Sequence, residues 1–229
     1  MTTEVDPEFK VHKLKIGREQ APLLVVDNLM ANADQLVDLA ASKVFTDVPG
    51  YFPGIRAKVP LTYQQRVINT LREHIADTFG VVASTLHFTN CHFSLVTTPG
   101  DRLALLQRIP HVDSMLSSEL ALMHYLFKSD LGGTAFYRHR STGFEYVNVE
   151  RNDRYCRLIS AELGGPDSPR PGYISSDTPL FEQIGSQEGR FNRLLIYRRN
   201  SLHSSNLTER FVPDANPRTG RLSINGFLK

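Results

Sequence analysis

Cysteine is almost missing from this sequence. Cys91 and Cys156 stand far apart with no C-x-x-C unit, which argues against a zinc knuckle or a disulfide framework and favours a reducing, cytoplasmic setting. An excess of charge of either sign is missing too, because 26 Lys+Arg against 24 Asp+Glu leave a net charge of only +2. Proteins that neutralise many phosphates carry a basic excess, so nucleic acid is not expected as a partner. No run approaches the ~20 apolar residues that span a bilayer. The polar, acidic start, Met1–Pro7, also lacks the basic and then apolar regions of a secretory signal. Neither a membrane association nor export is expected. Internal repeats and low-complexity tracts are absent as well.

What is present is a chain of 229 residues, enough for one domain with a substantial core. Up to about Ala21, charged and apolar side chains mix without a period, which predicts no regular element. Leu23–Asp27 reads as a buried strand. Asn32 and Gln35 then have capping-box spacing, and Leu36, Leu39, Ala40 and Val44 recur at helical intervals, which predicts a helix over 32–44. Two Pro-Gly elements surround Tyr51 and Phe52 between Val48 and Arg56, punctuating the backbone as a packed turn or a functional loop. Thr62 and Gln65 form a second capping box ahead of Val67, Ile68, Leu71 and Ile75, with Gly80 placed as the stop.

From Thr85 the character changes. Residues 86–96 lack a helical stripe and favour strand, Thr98–Asp101 reads as a turn, and Leu120–Phe127 reads as a buried strand. Asp130–Gly133 then turns into Thr134–Tyr137, predicting a hairpin with the strand before it. Asn148–Leu163 reads as a helix ending at Gly164-Gly165, inside a stretch, 138–190, expected to be an insertion. Leu194–Tyr197 and Leu222–Leu228 read as strands joined by a polar loop. Helices followed by short strands predict an α+β chain: helical support over 1–84, barrel strands over 85–137 and 191–229, and the insertion between them. A barrel of this kind has a mouth where ligands on strand ends converge.

The chemistry centres on His111-Val112-Asp113. Residues two apart on an extended segment project to one face. An imidazole and a carboxylate held that way can take adjacent positions on a divalent metal, and a distant histidine would complete the facial triad of non-heme Fe(II) oxygenases. The same pattern also reads as a surface pair or a capped turn. Eight histidines are present, and His87, His92, His124 and His139 each compete with His203 for the third place. Arg56, Tyr51, Arg138 and His139 lie near expected loops, with no assigned place at the metal.

In order along the chain come His111-x-Asp113, Leu131-Gly132-Gly133-Thr134-Ala135-Phe136, Leu202-His203-Ser204 and Gly220-Arg221-Leu222-Ser223. This series resembles the iron and 2-oxoglutarate-dependent dioxygenases, especially the prolyl-hydroxylase-like branch, over about residues 85–228. The segment Leu23–Val44 is similar to the helical support that precedes the barrel in such enzymes. Pro49–Arg56 together with Gly220–Phe227 is similar to a group of uncharacterised bacterial proteins of the superfamily.

The resemblance implies a double-stranded β-helix (jelly-roll) core in which His111, Asp113 and His203 hold Fe(II). It also implies that Arg221 pairs with the distal carboxylate of 2-oxoglutarate and that Ser223 supports it. The implied reaction couples oxidative decarboxylation of 2-oxoglutarate to hydroxylation of an unidentified small-molecule or peptide substrate. Neutral imidazoles and one carboxylate suit Fe(II) and leave sites open for other ligands. Arginine grips a carboxylate through two parallel hydrogen bonds. His203 is preferred as the third ligand because it lies between two predicted strands and upstream of Arg221-x-Ser223, whereas His124 sits in mid-strand. Asp113 retains the carboxylate that related iron halogenases replace with a small residue, which implies oxygenation over chlorination. The distances along the chain from His111 to His203 and from His203 to Arg221 are long for the family and imply insertions. Two other classes compete with this reading: a non-catalytic jelly-roll binding module, and a cupin-type metal enzyme without a 2-oxo acid.

Overall fold

The structure is a computed structural model that describes residues 4–48, 50–208 and 211–229. Met1–Thr3 of the polar start and Pro49 of the Pro-Gly loop lie outside the described residues. The strands are β1 (Lys10–Ile16), β2 (Ala21–Asp27), β3 (Thr46–Asp47), β4 (Gly54–Lys58), β5 (Phe88–Val96), β6 (Leu120–Tyr125), β7 (Gly133–His139), β8 (Phe181–Glu188), β9 (Leu194–Arg198), β10 (His203–Asn206) and β11 (Leu222–Leu228). The helices are α1 (Ala33–Ala41), α2 (Leu61–Phe79) and α3 (Val149–Leu163). Two antiparallel sheets organise them. Eight strands run in the order β1-β2-β9-β6-β11-β5-β4-β3, and three in the order β10-β7-β8. The chain is thus α+β.

Alternation along the strands builds the layers. Leu122, Leu194, Ile196, Leu222 and Ile224 project from one face of the large sheet onto the buried stripes of α1 (Leu36, Ala40) and α2 (Tyr63, Val67, Leu71, Ile75). Their neighbours Ala121, Tyr125, Leu195 and Tyr197 project from the other face and meet Phe136 of the small sheet. The outer face of the small sheet, through Ala135, Tyr137 and Phe181, is covered by Tyr155 and Ile159 of α3.

Several sequence expectations change here. Neither expected capping box forms: Asn32 makes no side-chain cap bond, and its backbone carbonyl takes the Gln35 N–H instead. In α2, Pro60 occupies the N-cap and places Thr62 inside the first turn, beyond capping reach. The left-handed Gly80 (φ 66) does close α2, returning its N–H to the Ala76 carbonyl. Val44 lies beyond α1 and is exposed. The region before Ala21 contains β1, an edge strand paired with β2 and exposed on most positions, which explains its lack of a hydrophobic period.

β6 and β7 do not form the expected hairpin. β6 lies between β9 and β11 in the large sheet, whereas β7 pairs with β8 and β10 in the small one. The Leu131–Gly133 turn therefore crosses between sheets. It also passes so close to β10 that a Cβ on Gly132 (φ 87) would meet the Asn206 carbonyl at 1.9 Å. The stretch 138–190 is not wholly inserted material either, since β8 within it pairs with β7.

His124, one of the competing third ligands, serves the core. It points from β6 toward α2 and is fully buried, with Tyr63 Oη 3.0 Å from Nδ1 and Asn192 Oδ1 3.2 Å from Nε2. Because Asn192 Oδ1 already accepts from the Met30 N–H, Nε2–H is the donor and Nδ1 accepts from the tyrosine. Burial pushes this imidazole down to about 4, with the Asn192 bond opposing. The sign follows from linkage: the unfolded chain takes up the proton near its ordinary value, while the folded chain resists until about pH 4. Stability should therefore fall as pH drops through that window, by up to about 3 kcal/mol from this group. Urea unfolding at pH 7 and at pH 4.5 reads this directly. A His124→Gln variant should lose much of the decline, and an identical decline in both proteins would contradict the assignment.

Candidate metal centre

His111 and Asp113 sit on an extended segment outside the regular strands, zipped against the start of β10. The His111 N–H donates to the His203 carbonyl at 2.9 Å, and the His203 N–H returns the bond to His111 at 3.0 Å. The Asp113 N–H donates to the Arg199 carbonyl at 2.8 Å. Arg199 Nη2 donates back to the Asp113 carbonyl at 2.8 Å, and its Nη1 pairs with Glu119 at 2.7 Å. This pairing brings the distant His203 to the local pair His111 and Asp113. Candidate ligand atoms of His111, Asp113 and His203 all lie within 4.8 Å of one another.

The carboxylate faces both rings. His111 Nε2 is 3.7 Å from Asp113 Oδ1, and His203 Nε2 is 3.5 Å from Oδ2. Ligands about 2.1 Å from a metal and at right angles stand about 3 Å apart, so small movements would close the set. His203 is buried, packs edge-on against Tyr197 at 4.8 Å, and donates Nδ1–H to the Ser201 carbonyl at 2.9 Å. That bond leaves the Nε2 lone pair free toward the carboxylate. His111 keeps 53% of its side chain accessible. Even so, the protein packed around the ring pushes it down to about 4, aided by His203 and opposed by Asp113. A neutral ring is the ligating form. Two neutral imidazoles with one carboxylate form a donor set that suits divalent iron.

Arg221 is buried just before β11. Its Nε donates to the Leu131 carbonyl at 3.1 Å and its Nη2 to the Gly133 carbonyl at 2.7 Å, so the sheet-crossing turn wraps the guanidinium. Burial lowers its proton affinity, while Tyr125 and Tyr173 pull the other way. Among the described residues no carboxylate pairs with it, although Arg138, Arg193 and Arg199 each have one. Ser223 lies opposite Ser94 and Tyr125 in the large sheet, and its hydroxyl meets Asn225 Oδ1 at 2.7 Å.

The remaining candidates separate clearly. His139 is buried between Glu162, at 2.6 Å, and Thr142, at 2.9 Å, and Arg138 is paired with Glu145 and Glu182. Tyr51 is exposed, and His87 Nδ1 lies 2.8 Å from the Thr85 carbonyl. Arg56 makes no contact with these three side chains; burial lowers its proton affinity, with the Asp113 charge opposing. Its register partner Ser94, together with Tyr125 and Tyr197, was not singled out from the sequence. Only long-range strand pairing reveals their shared face. A separate cavity of about 440 Å³ lies between Arg108, Ile109 and residues 166–181, and none of the three converging residues lines it.

No curated protein matches the chain in sequence. Among solved structures, HygX from Streptomyces hygroscopicus, determined with nickel and 2-oxoglutarate bound, is similar at a TM-score of 0.53 and 14% identity, over 93% of this chain and 86% of that one. The non-heme alpha ketoglutarate dependent epimerase SnoN from nogalamycin biosynthesis is similar at 0.50 and 11% identity, over 92% and 78%. The chain therefore shares the fold of these 2-oxoglutarate enzymes. The match to a family of unknown function, DUF6445, runs over residues 7–228, and the chain belongs to that family.

Proposed function

We propose that the protein is a non-heme iron dioxygenase that couples oxidative decarboxylation of 2-oxoglutarate to hydroxylation of a small-molecule or peptide substrate. In this reading the two sheets form a double-stranded β-helix, and His111, Asp113 and His203 hold Fe(II). Arg221 receives the distal carboxylate of 2-oxoglutarate, with Ser223 beside it. The observation that carries the reading is the convergence of two histidines and one carboxylate, in a protein whose buried Arg221 lacks a carboxylate partner among the described residues. Burying a charge without a partner is costly, and a bound anion offsets that cost. The fold shared with HygX and SnoN supports it.

Iron with its cosubstrate would supply the oxidising chemistry; the chain's own residues position it. The Ser201 carbonyl fixes the tautomer of His203, and Arg199 anchors the backbone of Asp113. Tyr197 packs against His203 on the side of the intersheet core. Asp113 fills the carboxylate place in the set, which favours oxygenation over chlorination.

The test mixes the protein with Fe(II), 2-oxoglutarate and dioxygen and follows succinate by NMR. Iron-dependent succinate release is expected, slow without a prime substrate. Iron binding without any binding of 2-oxoglutarate would instead favour a metal enzyme lacking a 2-oxo acid. Absence of both would leave a binding module.

A further inference from the structure

Arg56 has an arrangement that the proposed iron and cosubstrate sites do not use. On β4, Ala57 and the partly buried Ile55 turn toward the helices, so Arg56 turns to the opposite face. There it stands in register with Ser94 on β5, which is in register with Ser223 on β11, itself opposite Tyr125 on β6. This row runs across the face of the large sheet on which Tyr125 packs toward Phe136 of the small sheet.

Three observations bear on what Arg56 can hold. Its guanidinium lies 4.1 Å above the Phe52 ring, which orients it. It takes part in no hydrogen bond or ion pair among the described residues, and its Nε is both buried and without a partner. Ser94 beside it is fully buried, and its hydroxyl also lacks a partner among the described residues. Two unpartnered polar groups paired across adjacent strands cost stability unless something else satisfies them. Burial lowers the proton affinity of Arg56, and the one carboxylate opposing this is Asp113. His92, two register positions further along, is held toward its neutral form by burial, by Arg56 and by Lys58. It supplies no anion.

Charge balance, which rests on the proposed function, decides what the ligand carries. A dicationic iron, the Asp113 carboxylate, dianionic 2-oxoglutarate and Arg221 cancel one another. Arg56, in register with the Ser94–Ser223 row, is then left without a compensating charge. Both carboxylates of 2-oxoglutarate are already committed in that reading, one at the metal and one at Arg221. We infer that Arg56, with Ser94 behind it, is the subsite for a carboxylate group of the prime substrate, so that the enzyme acts on a small carboxylic acid. The planar guanidinium fork suits a carboxylate through two parallel hydrogen bonds. The Phe52 ring under the fork places apolar surface beside it.

The experiment uses the full chain loaded with Ni(II), which replaces iron without turnover, and saturated with 2-oxoglutarate. Acetate, butyrate and phenylacetate are titrated against it, with their amides and inorganic phosphate as controls, and binding is read by calorimetry and by the rise in melting temperature. At least one carboxylate should bind saturably while its amide does not. Arg56→Gln should weaken that carboxylate at least tenfold, Arg56→Lys should recover part of the loss, and both variants should hold 2-oxoglutarate within about threefold of the parent. Circular dichroism confirms that the variants are folded. Equal carboxylate binding in Arg56→Gln, no carboxylate binding by the parent, or binding of phosphate alone would overturn the assignment. Loss of 2-oxoglutarate binding in Arg56→Gln would overturn it too, by giving the subsite to the cosubstrate. If the parent fails to bind 2-oxoglutarate but still binds a carboxylate through Arg56, the proposed function falls and the subsite stands.

Discussion

Alanine at His111, Asp113 or His203, one position at a time, is expected to abolish iron-dependent consumption of 2-oxoglutarate and to weaken iron binding by more than about 100-fold. Groups that merely orient metal ligands cost 10- to 100-fold when removed, and a direct ligand should exceed that. The fold should survive each change. His111 is half exposed, and Asp113 is held in place through its backbone N–H and carbonyl rather than through its carboxylate. His203 is buried against Tyr197, so its truncation should cost some stability, yet the backbone bonds it exchanges with His111 remain. Far-UV circular dichroism measured beside equilibrium dialysis of iron separates the two effects. Normal turnover by His203→Ala together with loss in His92→Ala would show that the third ligand has been misassigned.

Arg221→Ala is expected to raise the KM for 2-oxoglutarate by roughly 30-fold to several thousandfold while leaving iron affinity within a few-fold. Removing one partner of a buried, hydrogen-bonded charge pair costs about 2–5 kcal/mol, and each 1.4 kcal/mol is about a factor of ten. Lysine should recover only part, since it lacks the planar fork. The truncation also frees the Leu131 and Gly133 carbonyls, so stability is measured without 2-oxoglutarate as a separate quantity. In the parent, added 2-oxoglutarate should raise the melting temperature of the iron-loaded protein by mass action. In Arg221→Ala the same addition should not. An unchanged KM would remove the main support for a 2-oxo acid cosubstrate.

The strands that could be read from the sequence are those with continuous apolar character. β2, β6, β9 and β11 are buried along most of their length, and their residue types alone mark them. α3 was legible from Asn148, whose side chain does cap it, accepting from the Arg151 N–H. β1 was not, because an edge strand with most positions exposed carries no hydrophobic alternation. β10 reads His-Ser-Ser-Asn, polar residues that become a strand only because β7 pairs with them. The β6–β7 hairpin failed for a related reason: the local turn signal is real, but the turn closes around Arg221, which is remote in sequence.

The proposed site divides the same way. His111 and Asp113 are legible because their spacing is local, and His203 and Arg221 because their order along the chain follows a pattern. Arg56 gave no such signal, since its place depends on the register from β4 through β5 to β11. Ser94 is illegible for the same reason, and only the structure shows its hydroxyl to be unpartnered among the described residues.

The most direct measurement is a crystal structure prepared without oxygen from the protein with Fe(II) and 2-oxoglutarate, with diffraction collected at the iron absorption edge. The account predicts one anomalous peak about 2.1 Å from His111 Nε2, from a carboxylate oxygen of Asp113 and from His203 Nε2, with the distal carboxylate of 2-oxoglutarate on Arg221. Iron bound away from these three side chains, or 2-oxoglutarate whose distal carboxylate does not reach Arg221, would contradict it.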